Sequence, residues 1–179
     1  THMLFVDGGS DHVNIGTSTD LGGMLNVAGT VVASSTDAGT AAGPILNLWR
    51  NSSSPADNDY IGEIYFSGEN DAGGASNYAG IATRILDASE NTEDGRMEIY
   101  TKLAGGQTSR ILMDAETTII NQDSADLDFR IESNGNANML FVDGGNDAVG
   151  IGTASPSSYS SGGDNLVIYG SGTSGITIA

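Results

Sequence analysis

A 15-residue segment occurs twice in this chain of 179 residues, and this repeat constrains the fold more than any other feature. Residues 3–17 read MLFVDGGSDHVNIGT, and residues 139–153, which lie 136 positions further on, read MLFVDGGNDAVGIGT. The copies differ only at Ser10/Asn146, His12/Ala148 and Asn14/Gly150. This spacing is longer than the roughly 20–50 residues of solenoid repeats. The sequence therefore predicts large modules arrayed along one axis, with one full period and the start of the next present here.

Each copy has the pattern of a β-hairpin. A short apolar run is followed by Asp-Gly-Gly-Ser/Asn-Asp and then by Val-x-Ile-Gly, which is typical of a strand, a tight turn and a returning strand. The first strand is apolar on both faces, because neighbouring residues point in opposite directions, and a lone hairpin is marginal in water. A short apolar strand is expected after each copy, at residues 23–27 and 165–168.

The returning strand carries Val149 and Ile151 on one face and Ala148, Gly150 and Gly152 on the other. A face of glycine and alanine lets another backbone approach closely. We therefore predict that partner chains wrap around a common axis as a homotrimer. The residues expected to pack in this trimer are Leu4, Phe5, Val13, Ile15, Leu140, Phe141, Val149, Gly150, Ile151 and Gly152.

The composition favours strands and turns. The chain has 26 glycines, about twice the usual share, and this suits short strands joined by tight turns. The patterned 38% of hydrophobic residues argues against disorder. Alternation across residues 44–121 predicts a meander of antiparallel strands. The expected strands are 44–50, 60–67, 78–87, 96–103, 110–114 and 117–120.

The predicted fold is therefore all-β, with three parts. Residues 1–43 form a β-hairpin shaft element and a linker. Residues 44–121 form an antiparallel, β-sandwich-like meander module. Residues 122–179 repeat the shaft element and begin the next module. Together they are expected to build an intertwined homotrimeric fibre.

Charge and cysteine content exclude several classes of function. The net charge of -17 would repel a nucleic acid backbone or an anionic membrane surface. The chain has no cysteine, so it has neither a disulfide framework nor a thiolate metal site. No apolar run approaches the roughly 20 residues that span a bilayer. Stability outside the cell must then come from packing and oligomerisation.

The sequence does not predict an enzyme. The only histidines are His2 and His12, and the second copy of the repeat has Asn138 and Ala148 in their places. A Ser-His-Asp site is therefore not supported. Carboxylates are so common in this acidic chain that no pair of them indicates a glycosidase.

Two binding sites are considered. Asp7, Asp11, Asp143 and Asp147 flank the hairpin turns as weak calcium candidates, because Ca²⁺ prefers hard oxygen ligands. Their spacing matches no EF-hand loop, and the competing interpretation is that aspartate caps the turn; no cofactor is predicted. Glycan binding needs exposed aromatic rings beside polar groups, although Trp49 also suits a core anchor. The candidate glycan contacts are Trp49, Tyr65, Tyr78 and Tyr100.

Several segments resemble known fibre proteins. Residues 149–156 (VGIGTASP) are similar to an element that recurs in tail fibres and related virion structural proteins, especially those of marine phages. Residues 128–133 (DFRIES), followed by 139–143 (MLFVD), resemble another stretch of the same proteins. The central segments 50–57 and 91–95 are also similar to a domain repeated in such fibres.

The resemblance to phage tail fibre shafts implies homotrimers, extended β-structure, a place in the virion and a role in host attachment. The implied partners are further copies of this chain, adjoining modules of the same fibre and host-surface glycans. The expected function is a structural segment of a trimeric extracellular fibre. A glycan-binding module of a virion fibre or of a bacterial surface adhesin is the alternative, because the VGIGT element also occurs in bacterial surface proteins.

Overall fold

The structure is a computed structural model that describes residues 4–9, 12–15, 23–40, 43–159, 165–170 and 172. Among these residues it has twelve β-strands, one short 3-10 helix at Pro156–Ser158 and no α-helix. The prediction of an all-β fold is thus confirmed. The chain divides into two compact units, Thr1–Asn47 and Leu48–Ala179.

The first unit holds a three-stranded sheet. Strands β1 (Phe5–Asp7) and β2 (His12–Ile15) form the predicted hairpin. Strand β3 (Leu25–Val27) then pairs with β2 in parallel. The predicted strand at residues 23–27 is confirmed, but its parallel direction could not be inferred from its apolar pattern.

The second unit begins with a five-stranded antiparallel sheet in which consecutive strands are neighbours. Ala104 and Gly105 connect two of its strands and have φ values of 47° and 88°, as the tight hairpin turns that match strand twist require. The strands are β4 (Tyr60–Glu69), β5 (Ala75–Asp87), β6 (Asp94–Leu103), β7 (Gly106–Met113) and β8 (Thr118–Ile120).

This central sheet departs from the sequence prediction in two respects. It is a single sheet and not a sandwich, because the short connections return each strand to the edge of the one before it. Residues 44–50, predicted as the first strand, are not in a strand. The Arg50 guanidinium donates to the carbonyl oxygen of Tyr60 at 2.9 Å. This bond occupies the acceptor that a strand paired with the start of β4 would need.

The second unit ends in a four-stranded sheet with the order β12-β11-β10-β9. The hairpin of β10 (Leu140–Asp143) and β11 (Ala148–Ile151) lies at its centre. Strand β9 (Phe129–Ile131) pairs antiparallel with β10, and β12 (Leu166–Ile168) pairs parallel with β11. The predicted strand at residues 165–168 is confirmed.

The sequence repeat is also a structural repeat. Val6 pairs with Val13 and Val13 with Leu25 in the first copy, as Val142 pairs with Val149 and Val149 with Leu166 in the second. The link between the hairpin and its parallel strand has nine residues (16–24) in one copy and 14 (152–165) in the other. The hairpin and third strand therefore keep their register although the link changes length.

Candidate functional site

One face of the C-terminal sheet is apolar and is not buried. Pairing aligns Phe129, Val142, Val149 and Leu166 in one row across four strands, and side chains of paired residues share a face. None of these side chains is buried. We call the following eight residues the C-terminal outward face: Phe129, Ile131, Leu140, Val142, Val149, Ile151, Leu166 and Ile168.

The three-stranded sheet of the first unit presents the same surface. Its N-terminal outward face consists of Leu4, Val6, Val13, Ile15, Leu25 and Val27, and none of these is buried. Five of the six residues are identical to their equivalents in the C-terminal outward face, and the sixth exchanges Val27 for Ile168. Both sheets thus expose an aliphatic face at equivalent positions.

The opposite, inward face of the C-terminal sheet is filled by its own chain. A Cβ added at Gly150 would collide with the carbonyl oxygen of Thr153, and one added at Gly152 would collide with that of Tyr169. Phe141 is 7% exposed on this face. The prediction that Gly150 and Gly152 admit the backbone of another chain is therefore wrong, because the segment after β11 folds back over them.

The predicted packing residues thus fall into two sets. Leu140, Val149 and Ile151 lie on the C-terminal outward face, and Phe141, Gly150 and Gly152 pack within the chain. Their counterparts Leu4, Val13 and Ile15 lie on the N-terminal outward face. The side chain of Phe5 lies outside the described residues.

The central sheet has an apolar row of its own that the sequence analysis did not identify. Each strand contributes one isoleucine, and the five pair side by side. None is buried, whereas Ala82, Tyr100 and Leu112 on the opposite face are. The isoleucine row consists of Ile64, Ile81, Ile99, Ile111 and Ile120.

The isoleucine row ends at a cleft that also borders the C-terminal outward face. Ile111 and Ile120, at the end of the row, line this cleft together with Leu127 and Phe129, and the polar residues Arg110, Asn121 and Asp128 complete its lining. Phe129 belongs to the C-terminal outward face. The isoleucine row and the C-terminal outward face of the second unit therefore meet at one cleft.

The four aromatic candidates differ in their surroundings. Trp49 is 76% exposed, and Tyr65 and Tyr78 are also exposed. Tyr100 is 4% exposed, because its ring lies over Gly80, where an added Cβ would collide with it. Tyr100 therefore packs within the sheet and offers no ring to a ligand.

The carboxylate of Glu63 and burial raise the pKa of two of these tyrosines, Tyr65 and Tyr100. Tyr65 donates a short hydrogen bond to Glu63, and this bond is the main reason why its pKa is raised to about 12. Burial, followed by the charge of Glu63, raises the pKa of Tyr100, and the hydroxyl of Tyr100 has no hydrogen-bond partner. Nearby, the Arg84 guanidinium lies 4.0 Å from the centroid of the Tyr60 ring. The face of the central sheet that carries Tyr60 and Tyr65 therefore offers aromatic rings beside the charged groups of Arg84 and Glu63.

Of the calcium candidates, Asp143 and Asp147 lie in a described turn, and Asp143 caps it with its carboxylate. Asp143 accepts hydrogen bonds from the backbone N–H of Asn146 at 3.0 Å and from its side-chain amide at 3.0 and 2.9 Å. Asp147 follows in the turn with a φ of 53°. The side chain of Asp7 and all of Asp11 lie outside the described residues. Within the described residues, no group of three or more His, Cys, Asp or Glu could hold a metal ion.

Comparison with known proteins gives no match: no protein-family model, no curated protein and no solved structure is similar to this chain. Within the described part of the chain, no helix is both long and apolar enough to span a membrane.

Proposed function

We propose that this chain is a structural segment of a trimeric extracellular fibre, most simply of a phage tail fibre that attaches the virion to its host, and that it is not an enzyme. The recurrence of an uncovered aliphatic face at both copies of the repeat carries this proposal. Sheets of three and four strands with one bare apolar face need a partner, because large exposed apolar patches are rare in monomeric proteins.

Further copies of the same chain are the partner that best fits these faces. Neither outward face contains a charged residue, so the net charge of -17 does not oppose contact there directly. Rotational symmetry brings the same patch from each chain to one axis. In each unit taken by itself, three copies would enclose the outward face between them, and in the second unit also the isoleucine row.

Light scattering tests this proposal. We expect the native chain to have three times the mass of a single chain, and Val142→Lys to dissociate it while circular dichroism stays β-rich. Asn134→Lys is the matched control, because it adds the same charge at an exposed position away from the outward face. Added lysine lowers the net negative charge, so dissociation cannot come from overall repulsion. A folded, monodisperse monomer of the native chain would exclude the trimer.

Glycan binding is the second candidate function, for a virion fibre or a bacterial surface adhesin. It is favoured by the exposure of Trp49 and Tyr65 and by the carboxylate of Glu63 beside Tyr65, since aromatic rings with polar neighbours suit sugars. A glycan array probed with the whole chain tests it. Binding that is lost in Trp49→Ala and Tyr65→Ala, with an unchanged oligomeric state, would support this function; no binding to any glycan would reject it.

A further inference from the structure

Arg110 carries a positive charge that no carboxylate of the described residues pairs with. Arg50, Arg96 and Arg130 each form an ion pair with an aspartate or a glutamate. The Arg110 guanidinium makes one hydrogen bond within the described part of the chain, from its Nε to the Thr101 hydroxyl at 2.6 Å. The N–H groups on its two Nη atoms are therefore left for another acceptor.

A β-bulge turns Arg110 onto the face that carries the isoleucine row. The pairing of β6 with β7 skips Arg110, which lies between the paired residues Ser109 and Ile111. Thr101 lies two residues after Ile99 and thus on the same face of β6, and its bond to Arg110 places the guanidinium there as well. Bulges commonly re-aim a side chain beside a functional site.

The cleft at the end of the isoleucine row combines this cation with apolar walls. Ile111, Ile120, Leu127 and Phe129 line it together with Arg110, and its volume is about 210 Å³. At the roughly 30 Å³ that a water molecule occupies in the liquid, this space holds about seven non-hydrogen atoms. Ile120 and Phe129 are exposed, so a ligand from solution has access to the cleft.

The two other polar side chains of the cleft are already engaged. Asn121 exchanges two hydrogen bonds with the backbone of Ala125, at 2.8 and 3.1 Å. Asp128 accepts a hydrogen bond from the backbone N–H of Gly144 at 3.2 Å. Arg110 therefore supplies the uncommitted donors of this cleft, whereas the negative charge of Asp128 at its rim opposes an anionic ligand.

We infer that this cleft binds a small aliphatic carboxylate. The two Nη groups of Arg110 donate to both carboxylate oxygens, which is the geometry in which arginine binds this group most strongly. The alkyl chain of the ligand packs against Ile111, Ile120 and Phe129 and is removed from water. Because Thr101 already holds the guanidinium, little side-chain freedom is lost on binding. The walls come from a single chain, so the inference does not depend on the trimer proposed above.

Hexanoate is the probe, and acetate and hexanol are its matched controls. Acetate lacks the chain and hexanol lacks the charge, so each should bind at least about tenfold more weakly than hexanoate. Isothermal titration calorimetry measures the affinities on the native chain and on Val142→Lys, which covers both states of assembly. Binding of hexanoate to neither chain would overturn the inference, as would equal affinities for hexanol and hexanoate.

Methyl NMR spectra locate the bound ligand. The signals of Ile111 and Ile120 should shift as hexanoate is added, whereas that of Ile64, at the opposite end of the isoleucine row, should not. Equal shifts along the whole row would show that hexanoate adheres to the apolar face at large, and would refute a site at the cleft.

Charge variants complete the test. Arg110→Gln should weaken hexanoate binding at least about tenfold, and Arg130→Gln, which removes the same charge outside the cleft, should leave it unchanged. Asp128→Asn keeps an oxygen acceptor for Gly144 and should tighten binding several-fold, because it removes the opposing charge.

Unchanged affinity in Arg110→Gln would refute the site. If that variant fails to fold, unchanged affinity in Asp128→Asn would refute it instead. Light scattering on ligand-free Arg110→Gln provides the remaining check, and its mass should equal that of the native chain. An altered mass would assign the Arg110 guanidinium to a carboxylate of a second copy and would overturn the inference.

Discussion

The side-chain amide of Asn26 donates a hydrogen bond to the side-chain oxygen of Asn14 at 2.6 Å across the parallel pair of β2 and β3. Asn14 is 0% exposed, and its own amide nitrogen has no partner. The equivalent residues in the C-terminal sheet are Gly150 and Val167. One copy thus fills this position with a polar pair and the other with an apolar residue against a glycine.

The two members of this pair are expected to be energetically coupled. Asn26→Val alone removes the donor to the buried side-chain oxygen of Asn14, whose amide nitrogen already lacks a partner, and should destabilise the first unit by about 1–3 kcal/mol. Asn14→Gly combined with Asn26→Val reproduces the second copy and should lose less than Asn26→Val alone. Thermal unfolding of the four members of this double-mutant cycle measures the coupling. A double variant that is less stable by the sum of both single effects would show that the residues are independent.

Gly150→Val is expected to destabilise the single chain and not only its assembly. The new side chain would meet the carbonyl oxygen of Thr153, and such overpacking costs about 1–3 kcal/mol or more. Gly135→Val is the control, because an added Cβ there meets no atom within 4 Å. Denaturant unfolding compares the two. Equal stability of both variants would show that the segment after β11 does not cover Gly150.

Tyr100 contributes through its ring and not through its hydroxyl. Tyr100→Ala should cost about 3–5 kcal/mol, as is usual when a buried aromatic ring is removed. Tyr100→Phe removes a buried hydroxyl that has no partner, so stability should stay the same or rise by up to about 1 kcal/mol. Chemical denaturation of both variants checks this contrast. A large loss in Tyr100→Phe would indicate that the hydroxyl is bonded after all.

The Tyr65 phenol is expected to lose its proton at a higher pH than an ordinary tyrosine. Its pKa rises from 10.0 to about 12, chiefly because it donates to Glu63. A raised pKa in the folded state contributes stability below pH 10, and this contribution is lost as the pH rises toward 12. Tyrosinate absorbance during an alkaline titration measures it, with Tyr65→Phe to assign the signal. Glu63→Gln should move the titration to lower pH, whereas Glu90→Gln, which changes an exposed turn, should not.

The β-rich fold and the order of strands in the central sheet could be predicted from sequence. The alternation of polar and apolar residues from Arg96 to Leu103 predicts β6, and the turn residues on either side limit its length. The hairpins could be predicted because their turn chemistry is local. The strand at Phe129–Ile131 was missed. The equally short strands Leu25–Val27 and Leu166–Ile168 were predicted only because each follows a copy of the repeated segment.

The faces of the repeated sheets could not be assigned from sequence. Alternation correctly separates Val149 and Ile151 from Ala148 and Gly150, but it does not say which set the chain itself covers. That depends on the backbone near Thr153 and Tyr169, which returns over the glycines. The isoleucine row was missed for a related reason: the five residues are far apart in sequence and come together only through the register of four strand pairs.

The outward faces of the two repeated sheets correspond at six positions, so a docking chain can distinguish them only at Val27/Ile168 and through the extra strand β9. In the proposed fibre, a neighbouring chain that docked one module out of step would meet six equivalent aliphatic positions, which differ only by the exchange of Val27 for Ile168, and would gain or lose Phe129 and Ile131 of β9. A staggered contact of this kind does not close on itself but propagates into filaments. In such a fibre the alignment would depend on features that occur once, which are β9 in the C-terminal sheet and the isoleucine row of the central sheet.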